Sequence, residues 1–362
     1  MKRSKWIALA GAALAVALAT AGTAAGASSH HGGGTYTVTP LVSDQMGVAP
    51  KVDPNLVNGW GISAGPPATP TPWWVSNQGT ETSTLYDGVG NILPLVVKVP
   101  GGPTGTVFYG GTGFLVPNGS ATAPANVPAK FMFATLSGTV QGWPPGTTAT
   151  VTGFDASKSH AVYTGLTISG ETLYAADFAN GRVDMIDNTW QQVKKPGAFR
   201  DWKLPKGYSP FGIQAAGGYI FVAYAKPDPK TGLDEHGPGL GVIDEFTTDG
   251  KFVARVATFG KSNAPWGIAW APATGFGKAS GALLVGNFGD GIINTYRQDH
   301  KGRWKWSGRL LTKDKKPLVI DGLWGIGFGN GGAAGPTTTL YFAAGPVNAT
   351  HGLYGTVTAD TP

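Results

Sequence analysis

The chain contains no cysteine among its 362 residues. Disulfide staples, thiol nucleophiles and thiolate metal sites are therefore excluded, and stability must come from the core alone. Charge is scarce too: only 13% of residues are Asp, Glu, Lys or Arg, and the formal net charge is +6. Lys2, Arg3 and Lys5 supply three of those charges at the very start, so the remainder carries 24 positive against 21 negative groups. That balance is too mild to imply a nucleic-acid partner. The densest basic run, Lys313-Asp314-Lys315-Lys316, reads as a solvated turn between strands. Beyond the first residues, helical periodicity is absent. Also missing are the Gly-x-Ser-x-Gly elbow, the His-Glu-x-x-His helix, the phosphate loop and the dinucleotide fingerprint. The six histidines are scattered, with His160 isolated.

What is present begins with an export signal. Residues 1–27 combine the basic start, an apolar run from Trp6 to Ala21 and the small residues Ala25-Gly26-Ala27 before Ser28. This is the layout of a cleavable signal peptide, and the run is shorter than the roughly 20 residues a membrane span requires. The expected mature protein is secreted, extracellular or cell-wall associated, with no transmembrane segment. It starts with a disordered stretch at 28–34, containing His30 and His31, followed by a single domain over 35–362. Glycine (57 residues) and proline (27) are abundant, yet so are tryptophan (12), phenylalanine (16) and tyrosine (11). Dense turns between short aromatic runs indicate packed strands, an all-β fold.

The strands repeat. Gly59-Trp60-Gly61-Ile62, Pro210-Phe211-Gly212-Ile213, Pro265-Trp266-Gly267-Ile268 and Leu323-Trp324-Gly325-Ile326 share one pattern, with weaker copies at Gly113-Phe114-Leu115 and Gly165-Leu166-Thr167-Ile168. Anchors at 62, 115, 168, 213, 268 and 326 predict a six-bladed β-propeller of four-stranded blades. Second strands end in polar turns, as in Trp73–Asn77 and Leu283–Asn287, and Asp249-Gly250 and Lys301-Gly302 turn third strands into outer ones. The strand Tyr36–Val42 precedes the first blade, so pairing it into the last blade closes the ring and hides two edges.

This pattern resembles NHL-type propellers and is distantly similar to gluconolactonase-like propellers. Leu41–Gln45, Phe131–Thr135, Gly138–Trp143, Leu284–Gly291, Gly322–Gly331 and His351–Gly355 are similar to motifs of a bacterial family of exported propellers. The resemblance implies the fold and export, and carries no catalytic residues. The essential glutamate of the gluconolactonase-like enzymes has no counterpart here.

Three groups of residues are candidates for chemistry. Trp60, Phe211, Trp266 and Trp324 recur at equivalent anchor positions, and with Tyr224 they form a ligand-stacking set or else fill the wedges between blades. Asn77, Asp177, Asn287 and Asp290, with Asn180, Asn348 and His351, occupy comparable turns; oxygen ligands from several blades suit Ca²⁺, although the same residues simply make turns. The lengthened loop between Tyr224 and Leu240 holds Asp228, Asp234, Glu235 and His236, the densest ionisable cluster. Asp234, Glu235 and His236 are the catalytic candidates, but neighbours in an extended chain point to opposite sides. The leading expectation is a binding or scaffolding module, a monomer, with a polar site at the channel mouth for a small molecule, glycan or extracellular protein. The alternative is a divalent-metal-dependent hydrolase or lactonase built on Asp177, Asn287 and Asp234 or Glu235.

Overall fold

A computed structural model describes residues 34–361; the expected signal peptide (1–27) and all but the last residue of the 28–34 stretch lie outside the described residues. Six small antiparallel sheets follow one another along the chain, and each inner strand contacts the inner strands of both neighbouring blades, which makes a closed ring. The inner strands are Gly59–Ser63, Pro103–Phe108, Tyr163–Ser169, Ser209–Ala216, Pro265–Trp270 and Leu323–Phe328.

Glycine explains why the blades approach so closely at the axis. A Cβ added to Gly61, Gly105, Gly165, Gly212, Gly267 or Gly325 would lie 2.2–3.0 Å from backbone of the next blade's inner strand. The contacts run Gly61 to Thr104, Gly105 to Leu166, Gly165 to Phe211, Gly212 to Trp266, Gly267 to Trp324 and Gly325 to Trp60, returning to the first blade. No side chain fits at these points, so the anchor motif is a steric requirement of the ring.

This ring corrects two anchors, those at 115 and 168. The second blade's inner strand centres on Thr104-Gly105-Thr106, whereas Gly113-Phe114-Leu115 lies in a loop leading to an inserted hairpin (Leu115–Pro117 with Asn126–Pro128). Phe114 is fully buried there, packed between the second and third blades. In the third blade the residue equivalent to the anchor isoleucines is Leu166, not Ile168.

The second strands are buried on both faces because they are sandwiched between neighbouring blades. Adjacent tryptophans show the strand period. Trp73 packs on Tyr341 of the sixth blade (ring centroids 5.4 Å apart), while Trp74 stacks on Phe131 of the second (4.2 Å).

Two blades depart from the regular plan. The third has three strands, Tyr163–Ser169, Thr172–Asp177 and Arg182–Asp187, with a single Ile186–Gln192 bridge instead of the fourth strand expected. The sixth takes its outer strand from the start of the chain: Tyr36–Ser43 pairs antiparallel with Leu353–Ala359, Tyr36 opposite Ala359 and Ser43 opposite Leu353. The expected closure is therefore present. The ladder shifts register between Pro40 and Val42, where proline cannot donate to it.

Candidate functional site at the channel mouth

The residues that precede the ring glycines are Trp60, Thr104, Thr164, Phe211, Trp266 and Trp324. Of these six, Trp60, Thr164, Phe211 and Trp324 line a cavity at one mouth of the channel. The two threonines bond to carbonyls of the following blade, Thr104 to Tyr163 (2.7 Å) and Thr164 to Phe211 (2.8 Å). The aromatics fill the axis. Trp60 stacks on Trp324 (3.8 Å), Trp324 stacks on Phe288 (3.7 Å), and Trp266 meets both tryptophans edge-on at 6.4 and 5.8 Å. Two indole N–H groups are placed by hydrogen bonds: Trp266 donates to the Thr164 carbonyl and Trp324 to Asn58 Oδ1, each at 2.9 Å. Trp60 Nε1 is buried without a partner.

A second recurring position completes the floor. In four blades the residue after the second strand donates its backbone N–H to a carbonyl at the entry of that blade's inner strand: Gln78 to Asn58, Leu136 to Gly102, Phe178 to Val162 and Phe288 to Ala264. All four side chains reach the mouth, where a cavity of about 420 Å³ opens above the aromatic stack. Sequence reasoning missed these four because it stopped one residue earlier, on Asn77, Asp177 and Asn287. The signal was the dipeptide, Asp177-Phe178 and Asn287-Phe288, repeated in register.

The long loop covers this same mouth. Leu233, Asp234 and His236 line the cavity opposite the stack, with Asn348 and Ala349 from the sixth blade beside them. The loop is a folded hairpin: Asp228 N donates to the Leu233 carbonyl, Glu235 N to that of Lys226, and Gly237 N to Asn263 Oδ1. Strand alternation divides its acids as expected. Glu235 turns away from the cavity onto Lys226 Nζ (2.7 Å), while Asp234 Oδ2 holds His236 Nε2 at 2.7 Å and the imidazole edge meets Phe288 at 5.1 Å. The Asp234 hydrogen bond raises the His236 pKa against the opposing effect of burial. The mouth therefore offers an aromatic floor and a charged rim, more apolar than the polar site the sequence suggested.

Other candidates fall elsewhere. Tyr224 is fully buried between the third and fourth blades, away from the cavity. The turn residues are each engaged within their own blade. Asn77 Nδ2 donates to Thr82 and Thr84; Asp177 accepts from Val162 N and Asn180 and faces Arg182 at 3.4 Å; Asn287 Nδ2 donates to the Lys261 carbonyl and to Asp290 Oδ1. Burial raises the Asp177 pKa, which the Asn180 and Val162 hydrogen bonds oppose. Among the described residues no three His, Asp or Glu side chains converge on one point. His351 instead bonds Asp44 through Nδ1 (2.7 Å) and Gln45 through Nε2 (3.0 Å), tying the closing strand to the last blade.

Fold and site together define a six-bladed β-propeller with an aromatic-floored, loop-covered mouth. Comparison with known proteins places it further. The chain is 33% identical over 348 residues to uncharacterized protein L690 of Acanthamoeba polyphaga mimivirus, covering 90% of this chain and 86% of that one. It is 32% identical to uncharacterized protein R648 of the same virus over 306 residues, 81% of this chain and 73% of the relative. The chain belongs to the family of these mimivirus proteins. These relatives are viral and do not support the bacterial membership expected from the motifs. No protein-family model matches the sequence. Among solved structures, the soluble aldose sugar dehydrogenase of Escherichia coli aligns with a TM-score of 0.53 at 14% identity, over 90% of this chain and all of that one. Virginiamycin B lyase of Staphylococcus aureus aligns with a TM-score of 0.50 at 12% identity, over 89% and 99%. At such identities the likeness shows the propeller fold alone. No helix of the described residues is long and apolar enough to cross a membrane.

Proposed function

We propose that this chain is an exported binding propeller that takes a small ring-shaped ligand at the covered mouth. The observation that carries this reading is the cavity of about 420 Å³ floored by the Trp60–Trp324–Phe288 stack and rimmed by the Asp234–His236 pair. An aromatic floor accepts the flat face of a sugar or aryl ring, and a few polar groups on the rim fix its orientation. Neutral hydroxyls are served by Gln78 and Asn348, and an acidic or hydroxyl substituent by His236. A ligand bound only by the folded state raises stability by mass action. The melting temperature should therefore climb with concentration of 4-nitrophenyl β-D-glucopyranoside, which joins an aryl ring to a sugar. A flat response across a panel of aryl glycosides and free sugars contradicts the proposal. Export is tested by sequencing the N-terminus of protein recovered from culture medium, expected at Ser28.

A second reading, a Ca²⁺-dependent hydrolase, is supported by two buried amide oxygens without partners, Oδ1 of Asn77 and of Asn287, at equivalent positions of the first and fifth blades. Oxygen atoms of this kind suit a hard cation. Elemental analysis together with melting curves in Ca²⁺ and in chelator tests it. A stoichiometric cation whose removal lowers the melting temperature supports the hydrolase; identical curves and no metal remove it.

A further inference from the structure

A second cavity, of about 410 Å³, shares no lining residue with the mouth and lies between the fifth blade and the closing strand of the sixth. Lys278, Arg297, Arg309 and Lys315 line it, and none of its lining residues is acidic. The concentration of charge is local. Residues 297–316 carry eight Lys or Arg and two Asp, a local excess equal to the +6 of the entire chain. Sequence reading dispersed these charges along a run; the fold gathers them. Antiparallel pairing of Ile293–Gln298 with Trp304–Arg309 sets Asn294 opposite Arg309 and Arg297 opposite Lys305, and Arg297 and Arg309, from separate strands, both line the cavity. The turn after the outer strand adds Lys315, and the short turn Gly277–Ala279 adds Lys278. Asp360, a carboxylate on the closing strands, is bonded to the hydroxyls of Thr35 and Thr37 and lies within electrostatic reach of Lys313 and Lys315 without forming an ion pair with them. Arg297 is partly committed as well, donating to the carbonyls of Lys278 and Ser280. Arg309 and the two lysines form no ion pair among the described residues.

The cavity also has an aromatic wall. Trp306 lines it and is 45% exposed, with its Nε1 anchored on Asn294 Oδ1 at 3.0 Å. Its ring is flanked by the Arg309 guanidinium at 5.9 Å and by Lys261 Nζ at 5.8 Å. A fixed indole beside cations that form no ion pair combines a stacking surface with donors for an oxyanion. Inorganic anions use only the second element, whereas a sugar bearing a carboxylate or sulfate uses both. We propose that this cavity binds an anionic sugar unit of an acidic polysaccharide, its acid group held by Lys278, Arg309 and Lys315 and its ring laid on Trp306.

Isothermal titration calorimetry on the folded chain tests this with a sulfated heparin tetrasaccharide, tetragalacturonate, maltotetraose, inorganic phosphate and a short DNA duplex. At least one acidic tetrasaccharide should bind, more weakly as salt rises, with maltotetraose and phosphate silent at the same concentration. Which acidic sugar binds separates the sulfate source from the carboxylate source. The double variant R309Q/K315Q, whose native side chains make no hydrogen bond or ion pair among the described residues, should weaken that binding by about tenfold or more. W306A should weaken it at high salt, where the ring contact dominates. Silence of both acidic sugars, unchanged affinity in R309Q/K315Q, or equal affinity for the DNA duplex overturns the assignment.

Discussion

At the residue scale, the six ring glycines and one buried carboxylate make the sharpest claims. A methyl group on Gly212 would sit 2.2 Å from the Trp266 carbonyl oxygen, and its three nearest neighbours are all Trp266 backbone atoms with nothing flexible to yield. Gly212→Ala should therefore destabilise the protein by about 1–3 kcal/mol or more. Gly110→Ala, whose nearest neighbour would be a ring atom of Phe108 at 3.4 Å, should change it little. Urea melts of the two variants test this, and equal midpoints would remove the steric account of the anchor motif. Asp244, buried in the fourth blade beside Arg255, has its pKa raised from 3.8 to about 7, chiefly by burial and against the pull of Arg255. Its folded-state pKa is above the unfolded value, so between pH 3.8 and about 7 the folded chain holds the proton more tightly. The contribution of this group to stability accordingly falls as pH rises through that window. Asp244→Asn should flatten the pH dependence of the melting temperature there; an unchanged slope would assign the dependence to other groups.

At the level of strands and loops, the closing strand and the long loop divide structure from function. Tyr36 carries its phenol into the contact between the fifth and sixth blades. There the hydroxyl donates to the Phe276 carbonyl at 3.1 Å and accepts from Ala279 N at 2.9 Å. Tyr36→Phe leaves both backbone groups buried without that partner and should cost about 1–3 kcal/mol, read as a lower urea midpoint. An unchanged midpoint would mean the closure rests on the ladder alone. These elements were legible to different degrees. The four aromatic anchors read directly from Trp-Gly-Ile and Phe-Gly-Ile because the ring glycine there has a bulky neighbour. The second blade was misplaced because Thr104-Gly105-Thr106 has only threonines, which look like any turn, and because Gly113-Phe114-Leu115 copies the composition of an anchor without its position. The missing fourth strand of the third blade follows a stretch, Lys194-Lys195-Pro196-Gly197, that proline and glycine keep from pairing. The alternation of Asp234, Glu235 and His236 was readable from strand geometry. Which mouth their loop covers was not, since that depends on the path of the whole ring.

Over the whole molecule, ring closure turns scattered residues into surfaces. Phe178 and Phe288 are separated by 110 positions in the chain yet face one cavity. Arg309 and Lys278 meet only because a hairpin and a turn share a blade edge. The first juxtaposition is signalled only by the repeated Asp177-Phe178 and Asn287-Phe288 dipeptides and the second depends on the path of the chain, so composition showed a mildly basic protein while the fold shows one basic edge and one aromatic mouth. The proposed ligand site lies at that mouth, beneath the long loop. Its most direct test is a tryptophan-fluorescence titration with 4-nitrophenyl β-D-glucopyranoside, comparing the native chain with Leu233→Asp. Leu233 lines the cavity yet is 67% exposed, so the substitution should leave the fold intact while placing a carboxylate over the aromatic floor. Saturable quenching that weakens about tenfold in the variant is the predicted result. Quenching identical in both proteins, or none in either, would contradict a ligand site at the mouth.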